Sequence, residues 1–249
     1  MLKDKVAIVT GAGSGIGRAV ALAYAREGAA VLVSDLTAPG GEETVAQIRA
    51  AGGTASFFAA DVADPAACEA LAAAAVERYG RLDIACNNAG IGGEAAPTGD
   101  YSIDGWRQVL DINLNGVFYC MKAQIPRMLE GGGGAIVNMA SILGAVGFAT
   151  APAYVAAKHG VLGLTKTAAQ EYAAQGLRVN AVGPGFIHTP LISGLEADAA
   201  TNAMLVSLHP IGRLGRAEEV AELTLWLSSP AASFVTGAYV PVDGGYLTR

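Results

Sequence analysis

Along the chain, short β-branched apolar runs alternate with longer stretches of helical spacing. Short continuous apolar runs suit strands buried on both faces, and a 3.6-residue repeat suits the helices packed over them. Strands are predicted over Val6–Thr10, Val31–Ser34, Ser56–Ala60, Leu82–Cys86, Ala135–Met139, Leu177–Val182 and Ala238–Val242. Helices are predicted over Gly17–Glu27, Glu42–Ala51, Asp64–Tyr79, Pro152–Ala174 and Glu218–Leu227. A further long helical region, Ile103–Leu129, is expected to break near Gly116. Gly28, Gly52-Gly53 and Gly80 stop helices, and Asp64-Pro65 pairs a capping acid with a first-turn proline. The βαβ alternation predicts an α/β fold, a doubly wound parallel sheet of about seven strands with helices on both faces, in one domain spanning 1–249. Residues 184–212 carry Pro184, Pro190 and Pro210 and read as irregular; a connection that long suits a lid or substrate loop.

The 249 residues are 52% hydrophobic and only 15% charged, enough for a large core with apolar surface to spare for an oligomer. Mean hydropathy is +0.39, yet no unbroken apolar run reaches the ~18 residues of a membrane span. A net charge of −6 with no basic stripe argues against nucleic acid as a partner. The first apolar run is shorter than the roughly 7–15 residues of a signal peptide and reads as a buried strand. Cys68, Cys86 and Cys120 are far apart, as expected of reduced core thiols in a cytoplasmic protein.

Three places carry candidate chemistry. Thr10-Gly-Ala-Gly-Ser-Gly-Ile-Gly17 joins the first strand to the first helix. Its glycines, Gly11, Gly13, Gly15 and Gly17, permit a tight turn and let a pyrophosphate approach a helix N-terminus. The spacing is Thr-Gly-x-x-x-Gly-x-Gly. A plain glycine-rich connection is the other reading; the strand–turn–helix setting favours a dinucleotide. Asp35 ends the second strand, 18 residues after Gly17, where a carboxylate reaches the adenosine ribose hydroxyls and repels a 2′-phosphate. No Arg or Lys stands within the turn or just after Asp35, so NAD is expected over NADP. Tyr154 and Lys158 are four apart on the helix that Thr150 can cap and Pro152 opens, so they share one face. An ammonium near a phenol lowers its pKa and suits it to proton transfer. Alone, such a pair is common on amphipathic helices.

Taken with Asp61-Val62, Asn87-Asn-Ala-Gly90, Asn113, Ser141 and Pro184-Gly185 followed by Thr189, these residues resemble the short-chain dehydrogenase/reductase family along essentially the whole chain. The resemblance implies a Rossmann-like fold and a catalytic set of Asn113, Ser141, Tyr154 and Lys158. Ser141 would donate to the substrate oxygen, Tyr154 would be the acid/base, and Lys158 would bind the nicotinamide ribose. The Asn113 carbonyl would hold a water beside Lys158. Asp61 and Val62 would hold the adenine, Asn88 would line the adenosine side, and Ile187 and Thr189 would hold the carboxamide. Gly11, Ser14, Gly15, Ile16, Gly17 and Asp35 would complete the NAD site. Ser141, Ile142, Leu143, Tyr154, Gly185 and Phe186 would form a largely apolar substrate wall.

The expected function is therefore NAD-dependent interconversion of a secondary alcohol and a ketone, with a neutral or moderately hydrophobic substrate. A 3-oxoacyl-acyl-carrier-protein reductase and a sugar or steroid dehydrogenase stay open within the family. A dinucleotide-binding regulator without turnover is the alternative of another class. The resemblance also implies a homotetramer. No metal site is expected, because His159, His188 and His209 lack ligand spacing. His188 and Arg213 are left open as substrate contacts.

Overall fold

The computed structural model describes residues 1–248. Its first half alternates β1 (Val6–Thr10), α1 (Gly15–Arg26), β2 (Ala30–Asp35), α2 (Ala38–Ala50), β3 (Thr54–Ala59), α3 (Pro65–Tyr79) and β4 (Ile84–Asn87). Then come α4 (Ile103–Leu110), a π-helical turn (Asp111–Asn115), α5 (Gly116–Glu130), β5 (Gly134–Met139), α6 (Pro152–Tyr172) and β6 (Leu177–Pro184). The last part holds β7 (Ile187–His188), α7 (Ser193–Glu196), α8 (Ala199–Ser207), β8 (Gly215–Arg216), α9 (Ala217–Ser228) and β9 (Tyr239–Val242).

The main sheet runs β3-β2-β1-β4-β5-β6-β9, every pair parallel. Its strands are the ones the apolar runs predict. Ile8, Leu32, Ile136 and Val179 are buried in the core on one sheet face, and Val9, Val31, Val33 and Val137 in the core on the other. Chain order reverses between β1 and β4, which opens a crevice at the carboxyl ends of those strands.

Several helix boundaries depart from the sequence reading. Helix α2 starts at Ala38, not Glu42, because Pro39 sits in its first turn, where a missing N–H is harmless. Gly40 and Gly41 continue it; a Cβ on Gly41 would lie 2.1 Å from the Phe57 ring, so the glycine lets helix and strand touch. The break expected near Gly116 is the π turn immediately before it. Residues 184–212 are not irregular throughout. Asp198 accepts from the Thr201 amide at 2.8 Å and caps α8, and α7 precedes it. Thr150 does not cap α6: its φ is +68°, and the cap position falls on Ala151. Asp64 caps α3 as expected, accepting from Ala66 N at 2.8 Å.

Among the described residues, no helix is long and apolar enough to cross a membrane, and no cluster of His, Cys, Asp or Glu could hold a metal ion.

Candidate active site

Two adjoining cavities fill the crevice. One, of about 310 Å³, runs from Asp35 along the glycine turn and is lined by Gly11, Ser14, Gly15, Ile16, Asp61, Val62 and Asn88. The other, of about 220 Å³, holds Ser141, Ile142, Leu143, Tyr154, Lys158, Gly185, Phe186 and Ile187. Ile16, Asn88, Gly90, Thr189 and Leu191 line both.

The glycine turn is built by close approach. A Cβ on Gly17 would sit 2.1 Å from Gly11 O and 2.5 Å from the Asn88 amide nitrogen. Gly17 itself therefore packs behind the turn rather than lining the cavity. Gly11 and Gly15 have φ of +61° and +51°, conformations that favour glycine. Asn88 clamps the turn, its side-chain amide donating to Thr10 O at 2.9 Å and Gly11 O at 3.1 Å. Thr10 Oγ1 in turn accepts from the Asn88 and Ala89 amides at 3.0 and 3.1 Å.

Asp35 is fixed from two sides. Its Oδ2 accepts from Gly13 N at 2.8 Å and its Oδ1 from Thr37 N at 3.2 Å. Oδ1 also accepts from Thr37 Oγ1 at 3.4 Å. Asp35 thus buttresses both the glycine turn and the start of α2, while Oδ2 keeps acceptor capacity. No Arg or Lys lies within the turn or just after Asp35, but Arg18, the residue after the turn, bends back to donate to Gly13 O. It is also held by Glu43 at 2.8 Å and Thr44 at 3.1 Å, so its charge is already matched.

This cavity fits a dinucleotide on its own evidence. The glycines leave a cradle that a single Cβ would close. Ser34 Oγ is buried, lines the cavity, and has no hydrogen-bond partner among the described residues. Such a hydroxyl offers a ligand both a donor and an acceptor.

At the other end, Ser141 follows β5 and its Oγ accepts from Leu143 N at 3.1 Å, starting a short 3₁₀ turn. Its backbone carbonyl accepts from the Tyr239 hydroxyl at 3.0 Å. Tyr154 and Lys158 lie on α6 with the Lys158 ammonium 5.5 Å from the Tyr154 ring centroid. Lys158 is 3% exposed and donates to Met139 O at 2.7 Å. Burial pulls its pKa down to about 8.

The sequence reading expects Lys158 to lower the Tyr154 pKa, and the chain's own groups do not achieve this. Burial pushes the phenol up, and the opposing pull is a hydrogen bond with Ser141. Desolvation wins because it acts on the phenolate directly, while the ammonium stands over the ring. Asn113 is fully buried in the π turn, and its side-chain amide makes a reciprocal pair with Ile91 N and O, both at 2.8 Å. The Asn113 side chain thus grips the strand-to-helix loop, and the Lys158 ammonium is anchored on the Met139 carbonyl.

The expected substrate loop beyond Pro190 supplies Leu191, Ile192 and Leu195 to the smaller cavity. Sequence reasoning missed Phe148 there, and Leu36, Ala89, Ile91 and Ile112 in the larger one. The aromatic residue in the loop segment near 148 was the available signal. His188 is exposed and bonds Glu196 at 2.6 Å, Arg213 pairs with Glu219 at 2.6 Å, and neither lines the smaller cavity.

The arrangement can hold an extended nucleotide against a glycine turn and present a phenol and a hydroxyl to a polar atom in an apolar chamber. Comparisons with known proteins agree. The profile of a family described as enoyl-(acyl carrier protein) reductase matches residues 11–247. The chain is 51% identical over 246 residues to the cyclohexanol dehydrogenase of Acinetobacter sp. (strain SE19), covering 99% of this chain and 96% of that one. It is 48% identical over 243 residues to the cis-4-hydroxycyclohexanecarboxylate dehydrogenase of Sinomonas cyclohexanicum, covering 98% and 96%. Among solved structures, a chain from Agrobacterium tumefaciens described as a 2-deoxy-d-gluconate 3-dehydrogenase with bound NADP superposes with a TM-score of 0.91. That chain is 40% identical, over 100% of this chain and 98% of its own. Fold, glycine turn and full-length likeness together place the chain in the short-chain dehydrogenase/reductase family.

Proposed function

We propose that the protein is an NAD-dependent oxidoreductase that interconverts a small ring-borne secondary alcohol and its ketone. The observation that carries this is the meeting of Ser141, Tyr154 and Lys158 in an apolar cavity that opens into the glycine-lined one. The apolar lining of this cavity, with Ile142, Leu143, Phe148 and Phe186, suits a neutral ring. Two relatives named for alcohols on a cyclohexane ring support the same substrate class.

In this reading Gly11, Ser14, Gly15, Ile16, Asp35, Asp61, Val62 and Asn88 hold the adenosine and pyrophosphate, with Gly17 shaping the turn behind them. Lys158, Ile187 and Thr189 hold the nicotinamide end. When bound, the nicotinamide supplies hydride chemistry. The chain supplies the proton. For ketone reduction, Tyr154 rests as a neutral phenol and gives its proton to the substrate oxygen, while the Ser141 hydroxyl donates a second hydrogen bond to that oxygen. For alcohol oxidation the proton moves the other way, from the substrate hydroxyl to the Tyr154 phenolate. Asn113 keeps the loop carrying Gly90 and Ile91 in place.

The Asp35 carboxylate supports NAD, because a 2′-phosphate would meet its negative charge, and Arg18 is matched by Glu43. The relative with bound NADP makes this the point to measure. Turnover of cyclohexanone with NADH should exceed that with NADPH; the reverse order overturns the preference. Tyr154→Phe should bind NADH as the unmodified protein does, by fluorescence titration, yet lose at least about a hundredfold in kcat. Retained turnover would remove Tyr154 from the mechanism. We also infer a cytoplasmic homotetramer; the buried free thiols of Cys68, Cys86 and Cys120 suit a reducing compartment. Sedimentation at several concentrations tests the subunit count.

A further inference from the structure

Phe148 and Phe186 both line the smaller cavity, with ring centroids 5.8 Å apart. Behind Phe186 lies His209, 3% exposed and outside the cavity lining, its ring edge-on to Phe186 at 83° and 5.9 Å. His209 Nδ1 is 2.8 Å from Leu205 O. A carbonyl only accepts, so Nδ1 carries the hydrogen and Nε2 is left as the acceptor. Phe186 N–H donates to Nε2 at 3.2 Å. Gly185 makes the approach possible: a Cβ there would lie 2.8 Å from Nε2. Tyr246, near the chain end, packs on both rings at 5.6 and 6.2 Å. One imidazole thus ties the end of α8 to the backbone of the cavity wall.

We propose that His209 is a positioning residue for substrate selection: by accepting the Phe186 amide hydrogen and packing against its ring, it sets how far Phe186 reaches into the cavity. The backbone beside Gly185 has more freedom than elsewhere. Without an acceptor, the half-buried Phe186 amide must turn to another partner, and the ring moves with it. A ring-shaped substrate that fills the chamber feels this shift; a short acyclic alcohol that leaves room to spare does not. The inference rests on the reading of this cavity as the alcohol site.

The test compares cyclohexanol with 2-propanol for the unmodified protein, His209→Asn, His209→Gln and Phe186→Leu. Asn keeps a donor for Leu205 O and loses the acceptor for Phe186; Gln can place an oxygen where Nε2 was. His209→Asn should raise KM for cyclohexanol about tenfold, with kcat, KM for NAD and KM for 2-propanol within about twofold. His209→Gln should recover most of the loss, and Phe186→Leu should reproduce it. Equal effects on both alcohols, or an unchanged cyclohexanol KM in His209→Asn, overturn the proposal. If His209→Asn fails to fold by circular dichroism, the same comparison between Gln and Phe186→Leu decides: Phe186→Leu that leaves the ring preference intact overturns it. If the unmodified protein oxidises neither alcohol, the functional reading fails by itself. Dissociation constants for the two alcohols, from ligand-observed NMR, then decide the positioning claim by the same ratio.

Discussion

At the scale of single residues, burying Lys158 carries a cost with a pH signature. Its folded pKa of about 8 lies below its ordinary value of 10.5. Between those two values the unfolded chain binds more protons than the folded one, so stability rises with pH across that window and the penalty is full below about 8. Urea unfolding should show this rise for the unmodified protein and not for Lys158→Met; parallel profiles would place the lysine in a better-solvated setting. The pairing of Tyr154 with Lys158 was legible from their spacing alone. The direction of the tyrosine shift was not, because spacing conveys proximity and says nothing of desolvation. Asp35 shows the same limit. Its place at a strand end announced a ribose contact, but its bonds to Gly13 and Thr37 depend on how two distant loops fold toward it.

At the scale of elements, the π turn over Asp111–Asn115 matters most. It places the buried Asn113 side chain against Ile91, filling both hydrogen-bonding positions of that backbone unit. Asn113→Ala leaves the half-buried Ile91 N–H and C=O unmatched and should cost about 1–3 kcal/mol of unfolding free energy in urea titrations. A loss under about 0.5 kcal/mol would mean the loop finds other partners. The strands were readable because a β-branched run buried on both faces has no competing interpretation in a βαβ chain. Helix α8 was not, since Ala199-Ala-Thr-Asn-Ala-Met204 shows no clear apolar stripe and depends on its Asp198 cap. The start of α2 was hidden for a related reason. Pro39, Gly40 and Gly41 read as breakers, although the proline sits where helices tolerate it and Gly41 answers to the Phe57 ring.

At the scale of the molecule, the site is gathered from segments that span nearly the whole chain. The seven-strand order follows from right-handed crossovers, and the crevice follows from the reversal between β1 and β4. The expected substrate loop closes over that crevice through Leu191, Ile192 and Leu195. From the edge strand β9 the Tyr239 hydroxyl donates to the Ser141 carbonyl, 98 residues earlier in the chain. Burial, then the Asp243 carboxylate, pushes the Tyr239 phenol up to about 12, so it remains a donor throughout the working pH range. Tyr239→Phe should lower kcat severalfold, leave NADH affinity unchanged and cost about 1 kcal/mol of stability. Unaltered kcat would show that the serine holds its position without help. This tie also bears on how the protein is made. Ser141 leaves the ribosome 98 residues ahead of Tyr239, so a nascent chain cannot lock its serine until β9 has followed it out.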